Sequence, residues 1–220
     1  MGRRPNVLVT VPCKPPYIHK HVVMALQRMW GDTRVSAQFM FPTWNPLENA
    51  QAHVHREFLA GAFDFWVSID ADNPPTANPC DLVFLDLDII GCPTPVLHID
   101  AEHPDDWPIY WNAMDEVAEG WRPHRPMEGL QQVDATGGGC WVIARRVLER
   151  LKDGAPFQRT WNADGTVDRG NDFSFCQRAR AAGFQVWAHY DYPCRHFVEV
   201  ELTEVQAAFV RAMRAQGVPS

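Results

Sequence analysis

The chain has 220 residues and carries 20 Lys and Arg side chains against 27 Asp and Glu, which gives a net charge of −7. This balance argues against a protein that holds nucleic acid through a general basic field, although it does not exclude a local basic patch. The apolar stretch Asn6–Val11 is too short for a signal peptide or a membrane span, so we expect a cytoplasmic protein without a membrane partner. The length predicts one domain, and six cysteines without a C-x-x-C pair predict reduced, mostly buried thiols.

The first part of the chain alternates predicted strands with predicted helices. Short apolar runs bounded by turn residues predict strands at Asn6–Val11, Val35–Phe41 and Phe65–Ile69. Apolar side chains at helical spacing predict helices at about Tyr17–Trp30 and Leu47–Ala60. Strand, helix, strand is the opening of an open α/β sheet.

The rest of the chain has the same kinds of elements around one long irregular segment, Asp100–Met127, whose Trp and Tyr side chains could stack on a sugar or a base. A final amphipathic helix is predicted at Leu202–Gln216, packed on the sheet. The other predicted elements are a short helix at Cys80–Leu87, strands at Pro95–Ile99, Gln131–Asp134, Cys140–Ile143 and Phe184–His189, helices at Arg145–Lys152 and Phe173–Ala182, and a hairpin at Phe157–Val167.

The most informative stretch is Asp70-Ala71-Asp72, which follows the buried strand Phe65–Ile69 and is closed by Asn73-Pro74-Pro75. Open α/β sheets bind ligands at the carboxyl ends of their strands. Two like charges at such a place are costly without a counter-charge. A divalent cation is the simplest candidate.

A second pair of carboxylates, Asp86 and Asp88, mimics the start of a haloacid-dehalogenase-type phosphatase motif. That motif should follow the first strand of a domain, and its D-x-D-x-T spacing is missing here. We therefore interpret Asp86 and Asp88 as a solvated helix end and loop.

Three other patterns allow a functional and a structural interpretation. On the helix Leu47–Ala60, the side chains of Asn49, His53 and Arg56 share a stripe that is either a solvated face or part of a site beside the acidic strand end. Glycines 137–139 let a backbone approach a ligand or a partner closely. Asn171 and Asp172 precede a helix, where either could be its N-cap.

In their order along the chain, these features resemble GT-A fold glycosyltransferases, especially the small ones of bacteria and phages. The resemblance runs from about Asn6 to Phe197. It implies an α/β fold, a single-domain GT-A architecture with a Rossmann-like open mixed sheet flanked by helices. Residues 1–201 would form this domain, and residues 202–220 the C-terminal helix packed on it.

The resemblance also implies roles for individual residues. Asp70 and Asp72 match the D-x-D motif, which holds Mn²⁺ or Mg²⁺ against the donor diphosphate, and His196 matches a third metal ligand. Asp172 matches the acidic position that faces the acceptor hydroxyl, so it is the candidate base, with Asn171 where Glu is common. The positions that match the nucleotide-sugar pocket are Pro12, Lys14, Asn49, Arg56, Asp70 and Ala71.

The implied activity is transfer of a sugar from a nucleotide-diphosphate sugar, a UDP-sugar, to an acceptor hydroxyl. A 5-hydroxymethylpyrimidine in phage DNA, which would place the enzyme in the host cytoplasm, and a glycan or protein are the competing acceptors. The net charge of −7 speaks against DNA. Six arginines speak for it, namely Arg122, Arg125, Arg145, Arg146, Arg178 and Arg180.

Two other classes of protein stay as alternatives. A nucleotidyltransferase could use the same D-x-D, but a Gly-rich basic loop is expected after the first strand and VPCKPP has no glycine. A non-catalytic nucleotide-binding module would not need Asp70, Asp72, Asp172 and His196 together.

Overall fold

The computed structural model describes residues 3–13, 17–97, 109–118, 120–199 and 202–215. Among these residues, no helix combines the length and the apolar character needed to cross a lipid bilayer. A 3-10 helix covers Pro79–Leu85. The α-helices are α1 (Lys20–Trp30), α2 (Leu47–Ala60), α3 (Arg145–Arg150), α4 (Asn171–Ala181) and α5 (Leu202–Ala215).

The strands follow in chain order. They are β1 (Asn6–Thr10), β2 (Ser36–Met40), β3 (Phe65–Ile69), β4 (Ile89–Gly91), β5 (Pro95–Leu97), β6 (Ile109–Trp111), β7 (Ala113–Val117), β8 (Gly120–Pro123), β9 (Leu130–Val133), β10 (Ala135–Thr136), β11 (Cys140–Ala144), β12 (Thr160–Trp161), β13 (Val167–Arg169) and β14 (Val186–His189).

The described residues build one large mixed sheet in the order β2-β1-β3-β11-β4-β14-β9. Strand β1 lies parallel to β2 and β3, whereas β11 runs antiparallel to β3 and β4. Because β1, β2 and β3 are parallel, their carboxyl ends meet at one edge of the sheet. The expected fold class, an α/β fold with an open mixed sheet flanked by helices, is confirmed.

Strand β3 is buried along its whole length, which fixes the direction in which the chain leaves it. Val67 and Ile69 pack into the core on one side of the sheet, and Trp66 packs into the core on the other side. This alternation follows the two-residue period of a strand. Trp66 donates a hydrogen bond through Nε1 to Thr10 Oγ1 at 2.7 Å, so its polar atom is satisfied although the side chain is buried.

Several elements differ from their predicted form. Helix α1 begins at Lys20 rather than near Tyr17, because His19 has an extended backbone and accepts a hydrogen bond from the amide of His21. Strand β5 pairs with β6 in a separate two-stranded sheet. Strands β7, β8 and β10 form a three-stranded sheet within and after the segment predicted to be mostly irregular. Residues 98–108 lie outside the described residues.

Helix α5 was predicted to pack on the sheet. In the structure the side chains of Leu202, Val205 and Phe209 are exposed. The described residues therefore do not show this packing, and it stays a prediction.

Candidate active site

The carboxyl end of β3 leads directly into the candidate site. The backbone amide of Asp70 donates to the carbonyl of Gly139 at 2.8 Å, and the amide of Asn73 donates to the carbonyl of Asp70 at 3.2 Å. The strand thus ends in a tight turn. The buried Asn73 side chain lies beside Asp70, with 3.5 Å between Asn73 Nδ2 and Asp70 Oδ2.

A short pairing of two distant segments brings His196 to this turn. The amide of Arg195 donates to the carbonyl of Pro74 at 3.0 Å, and the amide of Phe197 donates to the carbonyl of Asp72 at 3.1 Å. His196 Nε2 lies 4.0 Å from Asp72 Oδ2, and its Nδ1 lies 3.0 Å from the carbonyl oxygen of Pro95. The contact with Pro95 orients the ring so that Nε2 faces the Asp72 carboxylate.

Asp172 reaches the site from the first turn of α4. Its Oδ1 accepts a hydrogen bond from the amide of Phe173 at 2.8 Å, and its Oδ2 accepts one from the amide of Gly138 at 3.2 Å. The N-cap of this helix is Gly170, so Asn171 and Asp172 are its first residues rather than its cap. Burial raises the pKa of the Asp172 carboxyl, while the amides of Phe173 and Gly138 oppose that rise.

The carboxyl group of Asp70 has an unusual proton affinity. Burial raises its pKa to about 7, and the charges of Asp72, Asp172 and Cys194 add to the effect. Asp72 and Asp172 therefore each lie close enough to repel the Asp70 carboxylate. Above neutral pH Asp70 is also ionised, and without a counter-charge the repulsion between these carboxylates destabilises this end of the sheet.

A pH-dependent stability follows from the raised pKa of Asp70. Its ordinary pKa of 3.8 applies to the unfolded chain, so between about pH 4 and pH 7 the folded protein binds a proton that the unfolded chain lacks. The contribution of Asp70 to the free energy of unfolding is therefore expected to decrease as pH rises through this window. Urea unfolding in EDTA at about pH 5 and about pH 8 measures it. Asp70→Asn should flatten the decrease, whereas an NMR-measured pKa near 4 for Asp70 would contradict the expectation.

Glycines 137–139 lie beside the end of β3, because Cys140, the residue after them, pairs with Ile69. A Cβ atom on Gly139 would lie 2.6 Å from both Asn73 Nδ2 and Thr94 Oγ1, whose side chains are buried. A Cβ on Gly138 would meet only ordinary contacts, 3.6 Å from the Trp141 ring and 3.7 Å from Asp172 Cβ. The glycine run therefore permits close packing within the protein.

These two glycines give a matched pair of variants. Gly139→Ala is expected to lower the free energy of unfolding by about 1–3 kcal/mol, because buried Asn73 and Thr94 must move. Gly138→Ala is the control and should change it by less than about 0.5 kcal/mol. Chemical denaturation of both variants tests this, and equal losses of stability would be inconsistent with it.

The residues matched to the nucleotide pocket are more widely spread than the acidic residues and His196 at the end of β3. Asn49 is exposed and donates through Nδ2 to the carbonyl of Asn45 at 2.9 Å, and Arg56 is exposed on the same helix. Pro12 is half-buried beyond β1, and Lys14 lies outside the described residues. The cavity beside Asp72, of about 450 Å³, has none of these residues in its described lining, which consists of Tyr17, His19, Asp72, Phe197, Val198 and Glu199. Their role stays a prediction.

Similar folds occur among solved protein structures. No family model matches the chain, and no curated protein matches it. Among solved structures, A197 from STIV is similar over 89% of this chain and 86% of that one, with a TM-score of 0.55 and 13% identity. GalNAc-T7, solved with UDP, GalNAc and Mn²⁺, is similar over 90% of this chain, with a TM-score of 0.52 and 11% identity. The chain has a GT-A-like fold. It spans 44% of the GalNAc-T7 chain.

The donor set at the end of β3 partly fits a divalent cation in this GT-A-like fold. Asp72 and His196 supply an oxygen and a nitrogen 4.0 Å apart. In the part of the chain that the structure describes, no three His, Cys, Asp or Glu side chains are grouped so that they could hold a metal ion. Two of the three predicted ligands thus meet, and Asp70 lies near them without completing a group. Mg²⁺ commonly takes one or two protein ligands and fills its shell with water and substrate phosphates, which this pair allows.

Two buried polar residues of α2 near Asp172 were not predicted from the sequence. Gln51 is buried and its Oε1 accepts a hydrogen bond from Asn171 Nδ2 at 2.8 Å. Glu48, also buried on this face, forms an ion pair with Arg159. Glu48 and Gln51 lie next to the apolar stripe of α2 at helical spacing, which is the signal that could have found them. Gln51 thus ties the start of α4, next to Asp172, to α2, while Glu48 ties Arg159 to the same helix.

Proposed function

We propose that the chain is a metal-dependent glycosyltransferase that moves a sugar from a UDP-sugar to an acceptor hydroxyl. The observation that carries this proposal is the meeting of Asp72 and His196, with Asp70 adjacent, at the carboxyl end of a central strand. This is where open α/β sheets bind ligands. The GT-A-like fold, and a similar structure solved with UDP, GalNAc and Mn²⁺, support it.

In this proposal Asp72 and His196 hold Mn²⁺ or Mg²⁺, and Asp70 is the third ligand. Carboxylate oxygens with one imidazole suit these ions. A cation would also offset the burial and the repulsion that together raise the pKa of Asp70 to about 7. When bound, such an ion supplies positive charge against the departing diphosphate.

Asp172 is the proposed general base. Each of its carboxylate oxygens accepts one backbone hydrogen bond, which leaves a lone pair on each for an acceptor hydroxyl. The amides of Gly138 and Phe173 fix its orientation, and burial raises its pKa, which makes it a stronger base. Asp172 can therefore hold and remove the proton of a hydroxyl placed beside it.

The cavity next to Asp72 is the proposed position of the nucleotide. The rings of His19 and Phe197 stack at 3.7 Å in its wall, and Tyr17 is exposed beside them. Flat apolar faces of this kind bind a base by stacking. Pro12, Lys14, Asn49, Arg56 and Ala71 remain the other residues proposed to contact the donor.

The contacts of the six arginines that suggested DNA bear on which class of acceptor the enzyme uses. Arg180 pairs with Glu116 and Asp134, and Arg178 donates to backbone carbonyls. The others are also engaged, Arg122 with Asp115, Arg145 with Glu149, Arg146 with Asp86 and Asp88, and Arg125 with Met127 Sδ. Four of these six arginines are paired with carboxylates, which favours a glycan or protein hydroxyl over a hydroxymethylpyrimidine in DNA. Transfer of labelled sugar from UDP-glucose to hydroxymethylated DNA, weakened steeply by salt, would reverse that preference.

A donor screen tests the proposal. The protein is incubated with nucleotide sugars and Mn²⁺, and release of nucleoside diphosphate is measured with and without EDTA. We expect release from a UDP-sugar that stops in EDTA. Release of pyrophosphate from a nucleoside triphosphate and a sugar phosphate would identify a nucleotidyltransferase instead. Calorimetric binding of UDP-sugars without any turnover would point to a binding module.

A further inference from the structure

A second cavity, of about 280 Å³, adjoins the turn after β3 and lies against α1. His21, Met24 and Arg28 line it from one face of α1, at positions i, i+3 and i+7. Arg195 and Thr76 line it from the other side. The cavity therefore lies between a helix face and the segments that carry Asp72 and His196.

Hydrogen bonds between the segments at Thr76 and Pro193 hold the wall of this cavity opposite α1 in place. Thr76 donates to the carbonyl of Pro193 through its amide at 3.0 Å and through Oγ1 at 2.8 Å. Pro75 and Cys194 form a β-bridge, and Arg28 Nη2 donates to the carbonyl of Pro75 at 3.0 Å. Arg28 is thus anchored through one nitrogen, and within the described part of the chain its other N–H groups make no hydrogen bond.

The lining carries positive charge without compensation. Two guanidinium groups and one imidazole face the cavity, and its described lining contains no carboxylate. Within the described residues the Arg195 side chain makes no hydrogen bond and no ion pair, whereas many other arginines pair with carboxylates, among them Arg34, Arg146, Arg159 and Arg180. The described lining of the cavity thus brings two guanidinium groups together without a carboxylate in a chain of net charge −7.

His21 is also surrounded by positively charged groups. Loss of hydration lowers the pKa of His21, and the charges of His19, Lys20 and Arg195 lower it further. These groups therefore lie within electrostatic range of one another. An anion in the cavity would relieve their repulsion.

We infer that the cavity between α1 and Arg195 binds a phosphate group through Arg195, Arg28 and His21. Guanidinium forks match the oxygens of phosphate, and the bonds they form are charge-assisted. The diphosphate of a nucleotide and a phosphate on a separate molecule share this chemistry. The inference does not depend on glycosyl transfer, because inorganic phosphate alone should occupy the cavity.

Calorimetric titration of the full chain with inorganic phosphate and with pyrophosphate tests this inference. Arg195→Gln should weaken binding by about tenfold, because it removes charge-assisted hydrogen bonds. The side chain has no partner among the described residues, so the variant should fold. Arg150→Gln removes the same charge from an exposed position on α3 and should bind phosphate like the wild type.

A parallel titration with UDP identifies the source of the phosphate. If Arg195→Gln weakens both phosphate and UDP, the cavity receives the nucleotide diphosphate. If it weakens phosphate alone, the cavity receives a phosphate from another molecule. The inference is overturned if wild-type protein binds neither phosphate nor pyrophosphate, or if Arg150→Gln loses as much affinity as Arg195→Gln. The donor screen is scored separately by turnover, so a failed phosphate site and a failed glycosyltransferase proposal give different results.

Discussion

Asp172→Asn is expected to lower the rate of sugar transfer by about 10²–10⁴-fold while UDP and Mn²⁺ still bind. The amide has nearly the size of the carboxylate but cannot take a proton from the acceptor. One of the two backbone donors, Phe173 or Gly138, would then face an amide N–H₂ group instead of an oxygen. We therefore also expect a loss of about 1–3 kcal/mol of stability. Nucleoside diphosphate release and denaturant unfolding measure the two effects.

The matched control is Asp168→Asn, the same chemical change a few residues earlier in the chain. Asp168 is exposed on β13 and accepts a hydrogen bond from Thr160 Oγ1 at 2.9 Å. It should retain near wild-type turnover. Equal rates for Asp172→Asn and wild type would remove Asp172 from the chemistry.

Removing the side chain of Asp72 or His196, which meet at the end of β3, should abolish the metal dependence of donor binding. For Asp72→Ala and His196→Ala we expect Mn²⁺-dependent affinity for UDP to fall by about 100-fold or more, since even the outer partners of metal ligands change affinity by about 10–100-fold. Both side chains are substantially exposed, 42% for Asp72 and 29% for His196, so the fold should survive. Calorimetry with UDP, with and without Mn²⁺, gives the comparison.

Asp191→Ala serves as the control for this loss, because Asp191 is exposed on the turn after β14. Its affinity for UDP with Mn²⁺ should match the wild type. Turnover in EDTA by a double variant that lacks both Asp72 and His196 would refute a metal site there.

The elements around the site were predictable where the signal is local. The bounds Leu47–Ala60 and Phe65–Ile69 agree with the structure, because an apolar stripe and a short apolar run each end at a turn residue. The repulsion at Asp70 followed from two adjacent carboxylates at a strand end. Such features depend on a few neighbouring residues and can be recognised from the sequence.

The buried polar contacts were not predictable in the same way. Glu48 and Gln51 look like solvated helix residues until Arg159 and Asn171, more than a hundred positions away, pack against them. The arginines show the same limit. The number of arginines in the sequence does not distinguish Arg180, which pairs with two carboxylates, from Arg195, which pairs with none among the described residues. Pairing is decided by tertiary contacts, which no local pattern encodes.

Asp72 and His196 lie far apart in the sequence and are brought together by backbone hydrogen bonds between their segments. The pairing of residues 72–74 with residues 195–197 closes a loop that contains most of the sheet, and such long closures form late because their entropic cost must be met first. A chain still growing from its N-terminus therefore contains β1, β2 and β3 long before it contains His196. In the finished protein, opening this one segment would dismantle the site while the sheet stays intact. Activity and global folding are thus separable properties of this molecule.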